Sequence, residues 1–162
     1  MKYEIVVYPD DRLKLISSPV EKIDNDLIDM INEMFRVMYE SDGCGLAGVQ
    51  IGVLQRLFVM EIKGKKYVMI NPEILERSKD YSIAEEGCLS LPGIGAEVKR
   101  SKKVTVKYTD IDGKEKILTA TGLLAICIQH EYDHLDGKVF IDHLPASEKI
   151  NVLRDYRKQH NL

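Results

Sequence analysis

The chain has 162 residues, of which 44% are hydrophobic and 30% charged, with a net charge of −3. That length suits one domain spanning 1–162 with its own core, and the charge supplies no positive field to draw it onto nucleic acid or anionic lipid. The opening MKYEIVVYPDDR has too short an apolar run for a signal peptide, and no stretch approaches a membrane span, so the expected location is the cytoplasm. Residues 4–8, EIVVY, are expected to form a short strand ended by Pro9. From Asn25 to Glu40 the apolar residues Leu27, Ile28, Ile31, Met34, Phe35 and Met38 keep the helical period, with Asp24 or Asn25 as the cap and Gly43 just past the end. Residues 55–62 and 67–74 read as a hairpin around Lys63-Gly64-Lys65-Lys66, and 104–110 with 114–120 as another closing on Asp112-Gly113. GLLAICIQHEYDHL, 122–135, is too long and too apolar at its start for a strand and is expected to be a buried helix stopped by Gly137. A last helix, 147–160, follows Pro145 with Ser147 as its cap. Hairpins with a few separate helices indicate an α+β fold: antiparallel or mixed sheets around a central helix, with one helix N-terminal and one C-terminal.

The chemistry concentrates in IQHEYDHLDG, 128–137. His130 and His134 are four residues apart, on one face of a helix, where both can grip one metal ion, with Glu131 directly after the first. A catalytic site usually takes three protein ligands and leaves a position open for water. A third histidine six residues on is ruled out, since that position is Phe140, and Glu148 lies beyond Pro145 in another helix. His143 is possible but sits in a short connection, where a lone histidine is more often an ordinary surface residue. The three cysteines, an odd number, read as free thiols or ligands. Cys127 would approach from behind and is expected to be a small core or pocket residue. Cys44, in SDGCGLAGVQIG, and Cys88, in EEGCLSLPG, both remain open, with Cys88 preferred because it is extended and flanked by Gly87 and Pro92. Either thiol would complete a Cys-His-His set suited to Zn²⁺ or Fe²⁺.

Three segments, GCGLAGVQ (43–50), EGCLS (86–90) and QHEYDHLDG (129–137), together resemble the three motifs of the peptide deformylases, in order and at similar separations. The resemblance, which extends to most of the chain and to the bacterial form with a short C-terminal helix, implies Cys88, His130 and His134 as ligands of one divalent metal. That metal would be Fe²⁺ in the cell, with Zn²⁺, Ni²⁺ or Co²⁺ able to replace it. It implies hydrolysis of the formyl group from formyl-methionine of newly made polypeptides, with water on the metal as nucleophile and Glu131 as general base and acid. Gln50 and the Leu89 backbone N–H would stabilise the developing charge. Gly43, Cys44, Gly45, Ala84, Leu123, Ile126 and Cys127 would receive the substrate, its methionine side chain included. Glu86 is counted with them but is expected to act mainly by pairing with Arg100 and holding the Cys88 segment. Asp133 is expected either to accept a hydrogen bond from a ligand histidine or to face solvent.

Gly48, Val49 and Gly95 depart from the family's usual residues, which implies altered loop stiffness and an altered grip on the peptide beyond methionine. The basic run RDYRKQH suggests either a contact with the ribosome near its exit tunnel or simply a solvated helix end, and the chain is expected to act as a monomer. An endopeptidase would share HExxH but not the other two motifs. A structural metal protein would fill all four metal positions and would give Glu131 no purpose.

Overall fold

A computed structural model of the chain describes residues 3–162. Two helices appear at the expected bounds: α1, Asn25–Glu40, and α2, Gly122–Leu135. Asp24 starts α1 by accepting the Leu27 N–H at 3.0 Å, which satisfies one of the free donors of the first turn. The stripe of Leu27, Ile31, Met34, Phe35 and Met38 is buried on one face of α1.

Between the helices lies a five-stranded antiparallel sheet. Its strands are β1 (Gly45–Ala47), β2 (Leu57–Ile62), β3 (Lys65–Arg77), β6 (Lys103–Thr109) and β7 (Glu115–Thr121), in the spatial order β1-β2-β3-β6-β7. β4 (Tyr81–Cys88) and β5 (Leu91–Ser101) form a separate antiparallel pair. The parallel contact among the described residues is an isolated bridge between Ser18 and Gln55. β2 explains the layering. Phe58, Met60 and Ile62 face the cluster that includes Ala125, Ile128 and Leu135 of α2, whereas Leu57 and Val59 face the cluster of α1. Such a strand is apolar on both faces because both are covered, and each large side chain fully buried there contributes about 1.5–3 kcal/mol.

The hairpin turns follow their sequence signals. Lys63 and Gly64 both take positive φ, at 51° and 80°, giving a two-residue turn, so Lys65 and Lys66 belong to β3. Asp110 Oδ1 accepts from the N–H groups of Asp112 and Lys114, both at 2.9 Å, and braces the second turn. β3 runs past the expected end at residue 74. It changes partner from β2 to β6 through register shifts on either side of Glu73, which accommodate Pro72.

Three expectations differ from the structure. Residues 4–8 form no strand. Val6 N–H donates to Gln50 at 2.7 Å and Tyr8 N–H to Ser90 at 2.8 Å, so the segment bridges two different elements instead of following one edge. α3 is Ala146–Gln159, with Pro145 rather than Ser147 at the cap position. Proline has no N–H, so this start leaves one fewer donor to satisfy. The β4–β5 pair was read from sequence only as an extended Cys88 segment, because its glycines and charges mask the strand pattern. Tyr156 of α3 is fully buried against β5 and the turn Phe140–His143, and its hydroxyl donates to the Tyr8 carbonyl at 2.7 Å. Among the described residues no helix is long and apolar enough to cross a membrane.

Candidate metal centre and substrate cleft

The second half of α2 carries His130, Glu131 and His134, and the end of β4 brings Cys88 against them. One donor atom from each of Cys88, His130 and His134 lies within 4.8 Å of the other two. Cys88 Sγ is 3.4 Å from His134 Nε2, and the two imidazole rings stand 5.2 Å apart at 70°. Cys44, the other open choice, lies outside this group. Its sulfur rests 3.7 Å from that of Cys127.

Behind the histidines is a chain of buried charges. His130 Nδ1 meets Glu86 Oε1 at 2.9 Å, which leaves Nε2 for the cluster. Arg100 clamps both oxygens of Glu86 at 2.9 Å each and donates to Asp133 Oδ2 at 2.6 Å. His143 Nε2 meets the same Asp133 oxygen at 2.6 Å. Burial resists the charge on Glu86 and on Asp133. The hydrogen bonds of Glu86 to His130 and Arg100, and of Asp133 to His143 and Arg100, outweigh it and hold each carboxyl down to about 2. Two expectations are corrected here. Asp133 neither faces solvent nor bonds a histidine of the cluster, and His143, although exposed as expected of a surface residue, is also a partner in the network. Glu86 pairs with Arg100 as expected, and it also orients His130.

The front of the site is wired differently. Burial would raise the Cys88 thiol, but the charge of His134 and hydrogen bonds from both histidines bring it down to about 5, into the thiolate range. Burial pushes Glu131 up to about 7 against the pull of the His130 and His134 charges, and its Oε1 has no partner among the described residues. His134 Nδ1 is likewise buried without one. A Cβ at Gly45 would stand 2.6 Å from Glu131 Oε2, so only glycine lets this backbone lie against the carboxyl. Gln50 is 1% exposed. Its carbonyl accepts the Ala47 N–H at 2.9 Å, which turns Nε2 toward Ser90 Oγ at 3.2 Å and Cys88 Sγ at 3.5 Å.

These groups open onto a cleft of about 760 Å³. Gly43, Cys44, Gly45, Leu123, Ile126 and Cys127 line it, together with Leu89 and the front of Glu86. Ala84 does not. It pairs with Val98 two residues before Glu86, about 7 Å back along β4 and past the end of the cleft. Ser90 within EGCLS carries no sequence signal of a role, yet its buried hydroxyl receives the Gln50 amide. Ile5 and Val7, read as strand residues, line the cleft instead. No periodicity in the sequence points to either finding.

The donor set fits a divalent metal. A lowered thiol and two imidazoles converge on one point, and a buried carboxyl oxygen beside them lacks a partner, an arrangement that is costly unless something sits there. The family model for polypeptide deformylase matches residues 2–150. The chain belongs to the peptide deformylase family. It is 49% identical over 156 residues to the peptide deformylase of Wolbachia sp. subsp. Brugia malayi, covering 88% of this chain and 87% of that protein. The peptide deformylase structure from Ehrlichia chaffeensis superposes with a TM-score of 0.94 at 36% identity, over 99% of this chain and 98% of that one. A second structure from that organism, in complex with actinonin, gives 0.92 at 38% identity over 99% of each chain. Membership of the peptide deformylases makes the chain a metal-dependent hydrolase and agrees with the α+β fold.

Proposed function

We propose that Cys88, His130 and His134 hold one divalent metal and that Glu131 moves the protons in the family's reaction. In that reaction the formyl group is removed from formyl-methionine of newly made polypeptides and released as formate. The observation that carries the assignment is the convergence of the three donors beside Glu131, whose Oε1 is buried and unpartnered at the same cleft. When bound, the metal would supply a Lewis acid and lower the pKa of water beside it. Glu131 takes a proton from the attacking water as a new C–O bond forms at the formyl carbon. It returns the proton to the departing α-amine as the C–N bond breaks. Burial favours the protonated carboxyl, which helps Glu131 hold the proton between the two transfers. Gln50 Nε2, already aimed past Cys88, and the Leu89 N–H donate to the developing oxyanion. Glu86 and Arg100 position His130, whereas Cys44, Leu123, Ile126 and Cys127 receive the methionine side chain. Residues 1–162 act as a single catalytic unit.

The finer assignments rest on the same chemistry. Fe²⁺ is the proposed ion in the cell, with Zn²⁺, Ni²⁺ or Co²⁺ able to bind the same thiolate and imidazoles. The enzyme works as a monomer in the cytoplasm, with Arg154, Arg157 and Lys158, exposed on α3, turned to the ribosome. Replacing these three by glutamate and pelleting with ribosomes tests that contact. Truncation there would also remove buried Tyr156. The main test is formate release from a formyl-Met tripeptide by protein loaded with Ni²⁺ or with Fe²⁺ without oxygen. Release is expected for the native chain and not for Glu131→Ala. No release from folded, metallated protein would overturn the assignment.

A further inference from the structure

The thiols of Cys44 and Cys127 play no part in the metal cluster, yet their sulfurs lie 3.7 Å apart across the cleft wall. They come from distant parts of the chain, Cys44 from the turn between α1 and β1 and Cys127 from α2. Their exposure is asymmetric: Cys44 is exposed, whereas Cys127 is buried. The contact between the sulfurs favours the thiolate on Cys44 and the protonated thiol on Cys127, and burial adds to the latter. An accessible nucleophilic thiol with a sheltered partner in contact is the arrangement that captures an oxidant reversibly.

We propose that Cys44 and Cys127 form a peroxide-responsive dithiol that closes into a disulfide and shuts the substrate cleft. The Cys44 thiolate attacks one oxygen of hydrogen peroxide, the O–O bond breaks, and a sulfenic acid and hydroxide result. Hydroxide takes up the proton that Cys44 has lost and leaves as water. Cys127 then attacks the Cys44 sulfur. The S–O bond breaks, and the departing hydroxide leaves with the Cys127 proton as a second water. Two thiols are oxidised by two electrons, and one peroxide is reduced to two waters.

The consequence follows from what surrounds Cys44. Closing the gap from 3.7 Å to the S–S bond length of about 2.05 Å pulls this turn toward α2. On either side of Cys44 the backbone has no room: a Cβ at Gly43 would meet Leu89 Cδ1, and one at Gly45 would meet Glu131 Oε2, each at 2.6 Å. Any shift of Cys44 is therefore felt by Leu89 and Glu131, and the bond narrows the wall that Leu123 and Ile126 share with it.

The test is made with native protein loaded with Ni²⁺, exposed to graded hydrogen peroxide, quenched with catalase and blocked with N-ethylmaleimide. Trypsin places the three cysteines in different peptides, 37–56, 80–99 and 117–138, so a non-reducing peptide map identifies the pair without any activity assay. The expected product is the 37–56/117–138 crosslink with the loss of two hydrogens. It should be absent when Cys44 is blocked by N-ethylmaleimide before peroxide, and absent in Cys44→Ser. The activity arm rests on the deformylase reading, whereas the map does not. In that arm kcat/KM should fall about tenfold or more in the crosslinked fraction and recover with dithiothreitol. A crosslink to 80–99 would overturn the proposal. So would sulfinic or sulfonic acid at Cys44 without a crosslink, or a complete 37–56/117–138 crosslink with unchanged kcat/KM.

Discussion

The two sides of α2 treat buried charge in opposite ways. On one side Asp133 lies between Arg100 and His143, and Glu86 between Arg100 and His130, so every charge has a partner. On the other side, two residues earlier in the same helix, Glu131 has one oxygen without a partner among the described residues, and burial pushes its carboxyl up. The first arrangement holds the histidine in place, and the second leaves free the carboxylate to which the proton transfers are assigned in the proposed function. On that proposal a buried carboxylate in this fold is structural where it is saturated and chemical where it is not.

Glu131→Gln is the sharpest way to break that contrast. It should lower kcat by about 10²–10⁴-fold while leaving the protein at least as stable, because no saturated partner is lost. Formate release beside thermal unfolding reads both, and a marked fall in melting temperature would place Glu131 with the structural charges. Asp133→Ala should do the reverse, costing about 3–5 kcal/mol in denaturant unfolding because it leaves Arg100 underpaired. Loss of activity without loss of stability would contradict it.

Two buried amides allow a parallel test. Gln129 donates to the Ser101 and Ala125 carbonyls, so it is saturated by the backbone, whereas Gln50 aims its Nε2 at the cluster. Gln50→Ala is expected to raise the barrier by about 2.7–4 kcal/mol, seen in kcat, where Gln129→Ala should appear in stability. At Gly48 an added Cβ would stand 2.8 Å from the Val53 carbonyl. Gly48→Ala should therefore cost about 1–3 kcal/mol of stability. The smallest effect belongs to His143→Ala. Its partly exposed ring shares Asp133 with Arg100, so roughly 1 kcal/mol or less should be lost, with the metal content of the purified protein unchanged.

Legibility differed between elements for identifiable reasons. α1 and α2 could be read to the residue because their apolar spacing and end signals are local. The β2–β3 and β6–β7 hairpins showed because strand patterning flanks a Gly-containing turn. β4 and β5 were missed as a pair: exposure alternates along β4, but Tyr81 and Ile83 face outward while Ser82, Ala84 and Glu86 face inward, so hydropathy does not follow the alternation. Residues 4–8 had the composition of a strand but found no edge to join.

The sequence by itself determined the helical face that joins His130, Glu131 and His134, since a four-residue spacing becomes one turn wherever the helix lies. Through its three motifs it also determined the family. Spacing leaves the thiol open between Cys44 and Cys88, the resemblance implies Cys88, and the tertiary structure brings Cys88 to that face. The end of β4 sets Cys88 beside His130 and His134, whereas the turn after α1 brings Cys44 to Cys127 instead. The tertiary structure likewise made His143 a neighbour of Asp133 and left Glu131 Oε1 without a partner among the described residues. These outcomes depend on distances between segments far apart in the chain. Such distances are set by how the layers pack around β2, and no local spacing records them.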